Sequence, residues 1–184
     1  MKRWKRVGRK IAADFKFFRV REDRLITPRN GHEDDYYVIE CPDFVCVMAL
    51  TPDNELILVK QFRFGIEDFT LEMPGGVVDP GEPALDAAIR ELLEETGHKA
   101  VDVQPLGAIH PNPPNMNNRC HIFLATGCIP VDALDLDPGE EIEVLKVPME
   151  SAGAMVLGSE VTHSLVISAL YLHHAWTQRQ KEPT

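Results

Sequence analysis

Leu56, Ile57, Leu58 and Val59 form an unbroken apolar run, the pattern of a strand covered on both faces. It lies within a strand-like segment at 55–62, and further strand-like runs surround it at 36–40, 44–50, 69–73, 101–109, 120–127 and 141–147, set apart by Pro, Gly and Asn. The rhythm changes between Pro83 and Thr96. There Leu85, Ile89, Leu92, Leu93 and Thr96 recur at i, i+4 and i+7, with Ala88 beside them, which predicts the buried stripe of a helix. Pro83 suits a first helical turn, where its missing N–H is not needed. Gly97 suits the left-handed position past a helix end. A shorter helix is expected over 150–157, and a longer one over 161–176 with Leu165, Ala169, Leu172 and Trp176 on one stripe. Near the N-terminus, FKFFRVREDRLITP alternates like a strand with one slip at Phe17-Phe18, which a bulge absorbs. Asn30-Gly31 signals a turn. The tail RQKEPT is expected to fray.

Strands, a central helix, more strands and a C-terminal helix predict a mixed sheet between helices. A chain of 184 residues suits one sizeable core. No apolar run reaches membrane-spanning length. MKRWKRVGRK is basic but has no apolar stretch behind it, unlike a secretory signal. Cys41, Cys46, Cys120 and Cys128 show no CxxC spacing and lie in or beside apolar runs. They read as buried free thiols in a reducing cytoplasm. The net charge of −10 is a poor field for nucleic acid or an anionic membrane. It would also repel a polyphosphate, unless a metal ion inverts the sign locally.

The candidate chemistry lies in GGVVDPGEPALDAAIRELLEETGH, residues 75–98. Glu91, Glu94 and Glu95 fall at i, i+3 and i+4, on one side of the predicted helix. Glu82 adds a carboxylate just before it, and Arg90, four residues ahead of Glu94, answers only part of the charge. A hard divalent ion with oxygen ligands, Mg²⁺ or Mn²⁺, resolves such a cluster; a solvated acidic face is the bland alternative. Of the seven histidines none shows HxH or HExxH spacing, so zinc is unsupported. His163, at a helix start, reads as a capping or surface residue, with an approach to the site as the alternative.

Gly76, Glu82, Arg90-Glu91-Leu92, Glu94-Glu95 and Gly97, at these spacings, resemble the signature of the Nudix hydrolases. His98 departs from it, since the family usually ends this box with an aliphatic residue that packs. The resemblance implies an α/β fold, the Nudix-type α/β/α sandwich with a mixed sheet, over residues 42–184. A small N-terminal β extension over 1–41 would precede it, in the manner of family members whose extensions exchange across a homodimer. Two flanks resemble the ADP-ribose and nucleoside-diphosphate-sugar pyrophosphatase branch: Gln61-Phe62-Arg63, and Leu71-Glu72-Met73-Pro74-Gly75-Gly76, where Gly75 replaces the usual Ala. The resemblance implies a metal site of Glu82, Glu91, Glu94, Glu95 and the Gly75 carbonyl, holding Mg²⁺ or alternatively Mn²⁺. It implies Arg90 as the residue orienting the glutamates, and a general base at Glu140, with Glu141 second and a box glutamate such as Glu94 as the other option. Substrate contacts are expected from Arg63 and Glu72. The loop 111–119, with Asn115 and Arg119, is either a recognition loop or a rigid structural one. Phe18 is expected to stack on adenine or to pack in the core. The expected reaction is Mg²⁺-dependent hydrolysis of ADP-ribose or a nucleoside-diphosphate sugar to a nucleoside monophosphate and a sugar phosphate. Another nucleoside-diphosphate substrate, such as a dinucleotide or damaged nucleotide, or a non-catalytic nucleotide-binding regulator, is the alternative.

Overall fold

A computed structural model describes residues 1–131, 134–136, 139 and 141–181. The strands are β1 (Lys5–Asp14), β2 (Arg19–Ile26), β3 (Glu33–Glu40), β4 (Phe44–Leu50), β5 (Glu55–Arg63), β6 (Asp68–Glu72), β7 (His98–Lys99), β8 (Asp102–Ile109), β9 (Cys120–Thr126), β10 (Ile129–Pro130) and β11 (Ile142–Pro148). The α-helices are α1 (Ala84–Thr96), α2 (Ala152–Leu157) and α3 (Ser164–Lys181). Arg179 to Lys181, expected to fray, continue α3. The chain divides into two compact units, 1–43 with 110–119, and 44–109 with 120 onward.

In the larger unit a sheet of order β11-β5-β4-β9-β8, with β6 also paired to β5, carries the core. β4 and β9 run parallel and the other pairs antiparallel, so the sheet is mixed. Alternation along β4 sends Cys46, Met48 and Leu50 into one apolar layer with α2 and α3, and Val45, Val47 and Ala49 into another with α1. The run Leu56 to Val59 is buried throughout because both faces are covered. That is the α/β/α sandwich. The stripe of α3 lies against its layer as expected: Ala169 is buried, and Leu165, Leu172 and Trp176 pack beside it.

β4 and β5 stay paired only at Ala49↔Ile57 and Leu50↔Leu56. Beyond that point β5 continues alongside β6, while β4 takes the turn after β6: the Val45 and Val47 N–H groups donate to the carbonyls of Gly76 and Pro74, each at 2.8 Å. The sheet therefore splays, and the glycine turn bridges the gap.

Helix α1 starts after Pro83 and ends on Gly97, whose φ of 66° is left-handed and whose N–H closes onto the Leu93 carbonyl. Its buried face differs from the expected stripe. Ala87, Ala88, Leu92, Glu95 and Thr96 are buried, whereas Leu85 and Ile89 are 40% and 47% exposed. Two small alanines seat the helix against the sheet, and this turns Glu95 inward and Leu85 and Ile89 toward solvent.

The smaller unit is an antiparallel sheet β1-β2-β3 with the loop 110–119. Phe17-Phe18 is not a bulge. It lies in the β1–β2 turn, closed by the Phe15 N–H to the Phe18 carbonyl at 3.0 Å, and the register shifts fall within β1 instead. Asp23 is buried beneath Arg9 and Arg21, and Arg21 also pairs with Glu40. These cations outweigh the burial of the Asp23 carboxyl and hold it below its ordinary range. In the loop, Asn115 gives its carbonyl to the Ile39 N–H at 2.7 Å. Asn118 is buried and its Nδ2 donates to the Pro42 carbonyl at 3.0 Å.

All four cysteines are free thiols, three of them buried. A hydrogen bond with Cys120, then burial, pushes the Cys46 thiol far up.

Candidate active site

Where the sheet splays, a cavity of about 730 Å³ opens. One wall is α1, presenting Arg90, Glu91, Glu94 and Glu95. The floor is the glycine turn and the start of β4. The facing wall is β5 and β6, with Gln61, Arg63 and Glu72. His163, at the start of α3, and Asp135 complete the lining.

The carboxylates are each held in a different way. Glu95 is 4% exposed, and its Oε2 accepts the Gly75 N–H at 2.8 Å. This bond ties the glycine turn to the helix. Arg90 gathers the others. Its Nη1 donates to Glu91 at 2.8 Å and Glu94 at 3.0 Å, and its Nε and Nη2 grip Glu82 side-on, each at 3.0 Å. Nη2 also reaches the Val77 carbonyl at 3.1 Å. Glu82, followed by Glu91 and Glu94, stabilises the guanidinium and raises its pKa against the opposing effect of burial. In return Arg90, with the Asp79 N–H, holds the Glu82 carboxyl below its ordinary range. The fixed fork of Arg suits such a multi-carboxylate grip.

The glycines set how closely these parts approach. A Cβ on Gly75 would overlap the Val45 carbonyl oxygen, and one on Gly76 would overlap the Glu91 carboxylate. Glu91 therefore lies directly on the turn. Its carboxylate, with Glu94, Glu95 and nearby backbone carbonyls, makes a donor set of hard oxygens that fits Mg²⁺ or Mn²⁺. Among the described residues, no three His, Cys, Asp or Glu side chains converge closely enough to hold one ion in this conformation.

On the facing wall Glu72 is 5% exposed and takes a bidentate grip from Arg63, at 2.6 Å to Nε and 2.8 Å to Nη2. Thr70 donates its hydroxyl to the same carboxylate, and His163 Nε2 stands 3.5 Å from Oε2. Burial pushes the Glu72 carboxyl up, but these partners outweigh it and leave it below its ordinary range.

Residues expected at the site thus fall into three groups. Arg63, Glu72, Gly75, Arg90, Glu91, Glu94 and Glu95 line the cavity, and Glu82 joins them through Arg90. Phe18, Asn115 and Arg119 belong to the other unit. There Phe18 packs at a tilt against Phe15 with ring centroids 5.0 Å apart, and the Arg119 N–H donates to Asp43 at 2.8 Å. Of the base candidates, Glu140 lies outside the described residues, and Glu141 is exposed just before β11. The same loop instead brings Asp135 to the cavity, its N–H on the Glu94 carbonyl at 3.0 Å. Gln61, Asp79 and Asp135 were not expected at the site. His163 lines the cavity, its alternative reading, because α3 packs against the sheet, and its carbonyl at the start of α3 also accepts the Val166 and Ile167 N–H groups. His98, which departs from the family box, is buried with Nδ1 2.6 Å from the Thr96 carbonyl.

Comparison with known proteins agrees with this geometry. A NUDIX domain model matches residues 41–166. The chain is 34% identical over 133 residues to an ADP-ribose pyrophosphatase of Bacillus subtilis, 72% of either chain. It is 29% identical over 128 residues to the ADP compounds hydrolase NudE of Escherichia coli, covering 70% of this chain and 68% of that one. A crystal structure of an ADP compounds hydrolase superposes with a TM-score of 0.86 at 25% identity, covering 98% of this chain and 97% of the other. The chain belongs to the Nudix family. It is accordingly a hydrolase of phosphoanhydrides.

Proposed function

We propose that the protein hydrolyses the pyrophosphate bond of ADP-ribose or a nucleoside-diphosphate sugar, releasing a nucleoside monophosphate and a sugar phosphate, with Mg²⁺ as its preferred ion and Mn²⁺ as an alternative. The observation that carries this reading is the cavity itself: box carboxylates on one wall, and the Arg63–Glu72 pair on the other. The names of the relatives, including an ADP-sugar pyrophosphatase of Mus musculus 33% identical over 137 residues, 71% of this chain and 60% of that one, support the substrate class.

Glu91, Glu94, Glu95 and the Gly75 carbonyl would hold the ion, with Glu82 beside them. In support, the Gly75 N–H already reaches Glu95, between the Pro74 and Gly76 carbonyls that pair with β4. When bound, the ion supplies charge neutralisation on the phosphate oxygens and a positioned water. Arg90 orients Glu91 and Glu94. Glu95 stays on Gly75 and fixes the turn. Arg63, with part of its surface open beside the cavity, is placed for phosphate oxygens. Glu140 takes the proton from water. Phe18 and the 111–119 loop contribute to recognition of the base and sugar. The protein acts in the cytoplasm, supported by its free thiols, as a homodimer through the N-terminal strands, supported by the exposed apolar residues Val7 and Ile11 of β1. No described helix is long and apolar enough to cross a membrane.

The test is product analysis over ADP-ribose, ADP-glucose, a dinucleoside diphosphate and an oxidised nucleotide, each with Mg²⁺ and with a chelator. The expected result is cleavage of the first two in Mg²⁺ alone. Glu95→Gln keeps an acceptor for the Gly75 N–H but loses the charge, so activity should fall about a hundredfold or more with the fold intact. In the same assay Glu140→Gln should slow turnover while leaving metal affinity unchanged. Turnover only of the oxidised nucleotide, or equal turnover in chelator, would overturn the reading.

A further inference from the structure

We infer that His163 is a substrate-contacting residue, whose Nε2–H, beside the Arg63 guanidinium, takes an oxygen of the diphosphate on the side away from the box carboxylates. This rests on the proposed diphosphate substrate and extends it to a residue outside the box and its flanks.

The imidazole's two nitrogens stand in different surroundings. Nδ1 is buried and has no hydrogen-bond partner among the described residues. A buried N–H without an acceptor is costly, so a single ring proton belongs on Nε2, the nitrogen that faces Glu72. In the neutral ring or the protonated one, Nε2 is therefore a donor. Its acceptor is poor. Glu72 Oε2 lies 3.5 Å away, beyond the usual N–H···O range, and the same carboxylate already accepts two bonds from Arg63 and one from Thr70. Glu72 thus needs His163 little, and it aims the ring more than it consumes the donor.

Position supplies the rest. His163 lines the same cavity as Arg63 and the box glutamates. Its backbone is fixed, because its carbonyl accepts the N–H groups of Val166 and Ile167 at 3.1 and 3.3 Å. Its side chain keeps 29% exposure, which leaves the ring reachable from the cavity. An under-used N–H beside a guanidinium, facing an ion-binding wall across a cavity, is matched to a phosphoryl oxygen. Glu72 is then a positioning residue for Arg63 and His163, rather than a ligand of the substrate.

Variants at the one position test this. Gln places an amide N–H close to the position of Nε2, whereas Phe keeps the ring and loses both nitrogens. His163→Phe should lower kcat/KM for ADP-ribose roughly ten- to a hundredfold, mainly through KM, with Mn²⁺ affinity and Tm close to the parent. His163→Gln should recover most of that loss. Equal kinetics for His163→Phe and the parent, or a His163→Gln variant as impaired as His163→Phe, overturns the proposal. Binding of inorganic pyrophosphate by calorimetry separates this from the broader reading. If the parent cleaves none of the sugar nucleotides, that reading fails, yet His163→Phe should still bind pyrophosphate about tenfold more weakly. Unchanged pyrophosphate affinity sinks the proposal by itself.

Discussion

Gly75→Ala is the sharpest test of how the site is assembled, because the resembling pyrophosphatase motif usually carries alanine there. In this chain the new Cβ would overlap the Val45 carbonyl oxygen and stand 2.9 Å from its carbon and 3.1 Å from Cys46 Cα. All three are backbone atoms of β4, a strand buried on both faces, so the turn must move instead. Three hydrogen bonds hold it: Val45 and Val47 to the turn carbonyls, and the Gly75 N–H to Glu95, each at 2.8 Å. Straining two or three of them at about 1 kcal/mol apiece, or overpacking at about 1–3 kcal/mol, gives a loss of about 2–3 kcal/mol. For a chain of this size that lowers Tm by roughly 4–12 °C. Since the displaced turn also releases Glu95 and shifts the Gly75 carbonyl, Mn²⁺ affinity should fall with it. Thermal melts with and without metal, alongside a Mn²⁺ titration, read both effects. A variant that melts within about 1 °C of the parent and binds metal equally would refute the reasoning, and would mean that the turn lies farther from β4 than described.

Arg63→Met leaves the buried Glu72 with weaker partners. Its carboxyl in the parent is held below its ordinary range, so the stabilisation it supplies is complete above the unfolded-state carboxylate pKa and disappears as pH falls through the lower folded value. The parent's advantage over Arg63→Met in urea unfolding should therefore be largest near neutral pH and shrink below about pH 4; a gap independent of pH would exclude this account. Ile11→Asp places a charge on a half-exposed β1 position, and sedimentation should show it shifting a dimer toward monomer; an unchanged mass at micromolar concentration would remove β1 from the interface.

Much of the site was legible in the sequence, because box residues within one helix are fixed by its pitch: Pro83 and Gly97 bounded α1, and Glu91, Glu94 and Glu95 fell on one side. What was missed depends on neighbours. Leu85 and Ile89 carry the hydrophobicity and Ala87 and Ala88 do not, yet close approach to the sheet favours the alanines, and the stripe rotates. The turn at Phe15 to Phe18 contains no Gly, Asn or Pro and so looked like strand. The grip of Arg63 on Glu72 is not readable from the strand register, which sets Arg63 opposite Asp68 and Glu72 opposite Val59, so the side chain has to reach along the sheet to make it. His163 was readable only as an alternative, since the docking of α3 and not any local spacing brings it to Glu72 of β6.

The two walls of the cavity share one electrostatic design. Each contains acidic groups gripped by one arginine. On the box wall Arg90 divides its donors among Glu82, Glu91 and Glu94, so under the proposed reading an ion held by Glu91 and Glu94 would compete with two of its contacts and leave the side-on grip on Glu82. On the facing wall Glu72 is saturated, and the group with spare capacity is the donor, His163. One wall is thus ready to accept a cation and the other an anion, and a diphosphate carrying its metal presents both charges at once. Under the proposed reading that complementarity would let a chain of net charge −10 take a polyanion: Glu91, Glu94 and Glu95 would hold the ion, and Arg63 and His163 would meet the phosphate oxygens opposite it.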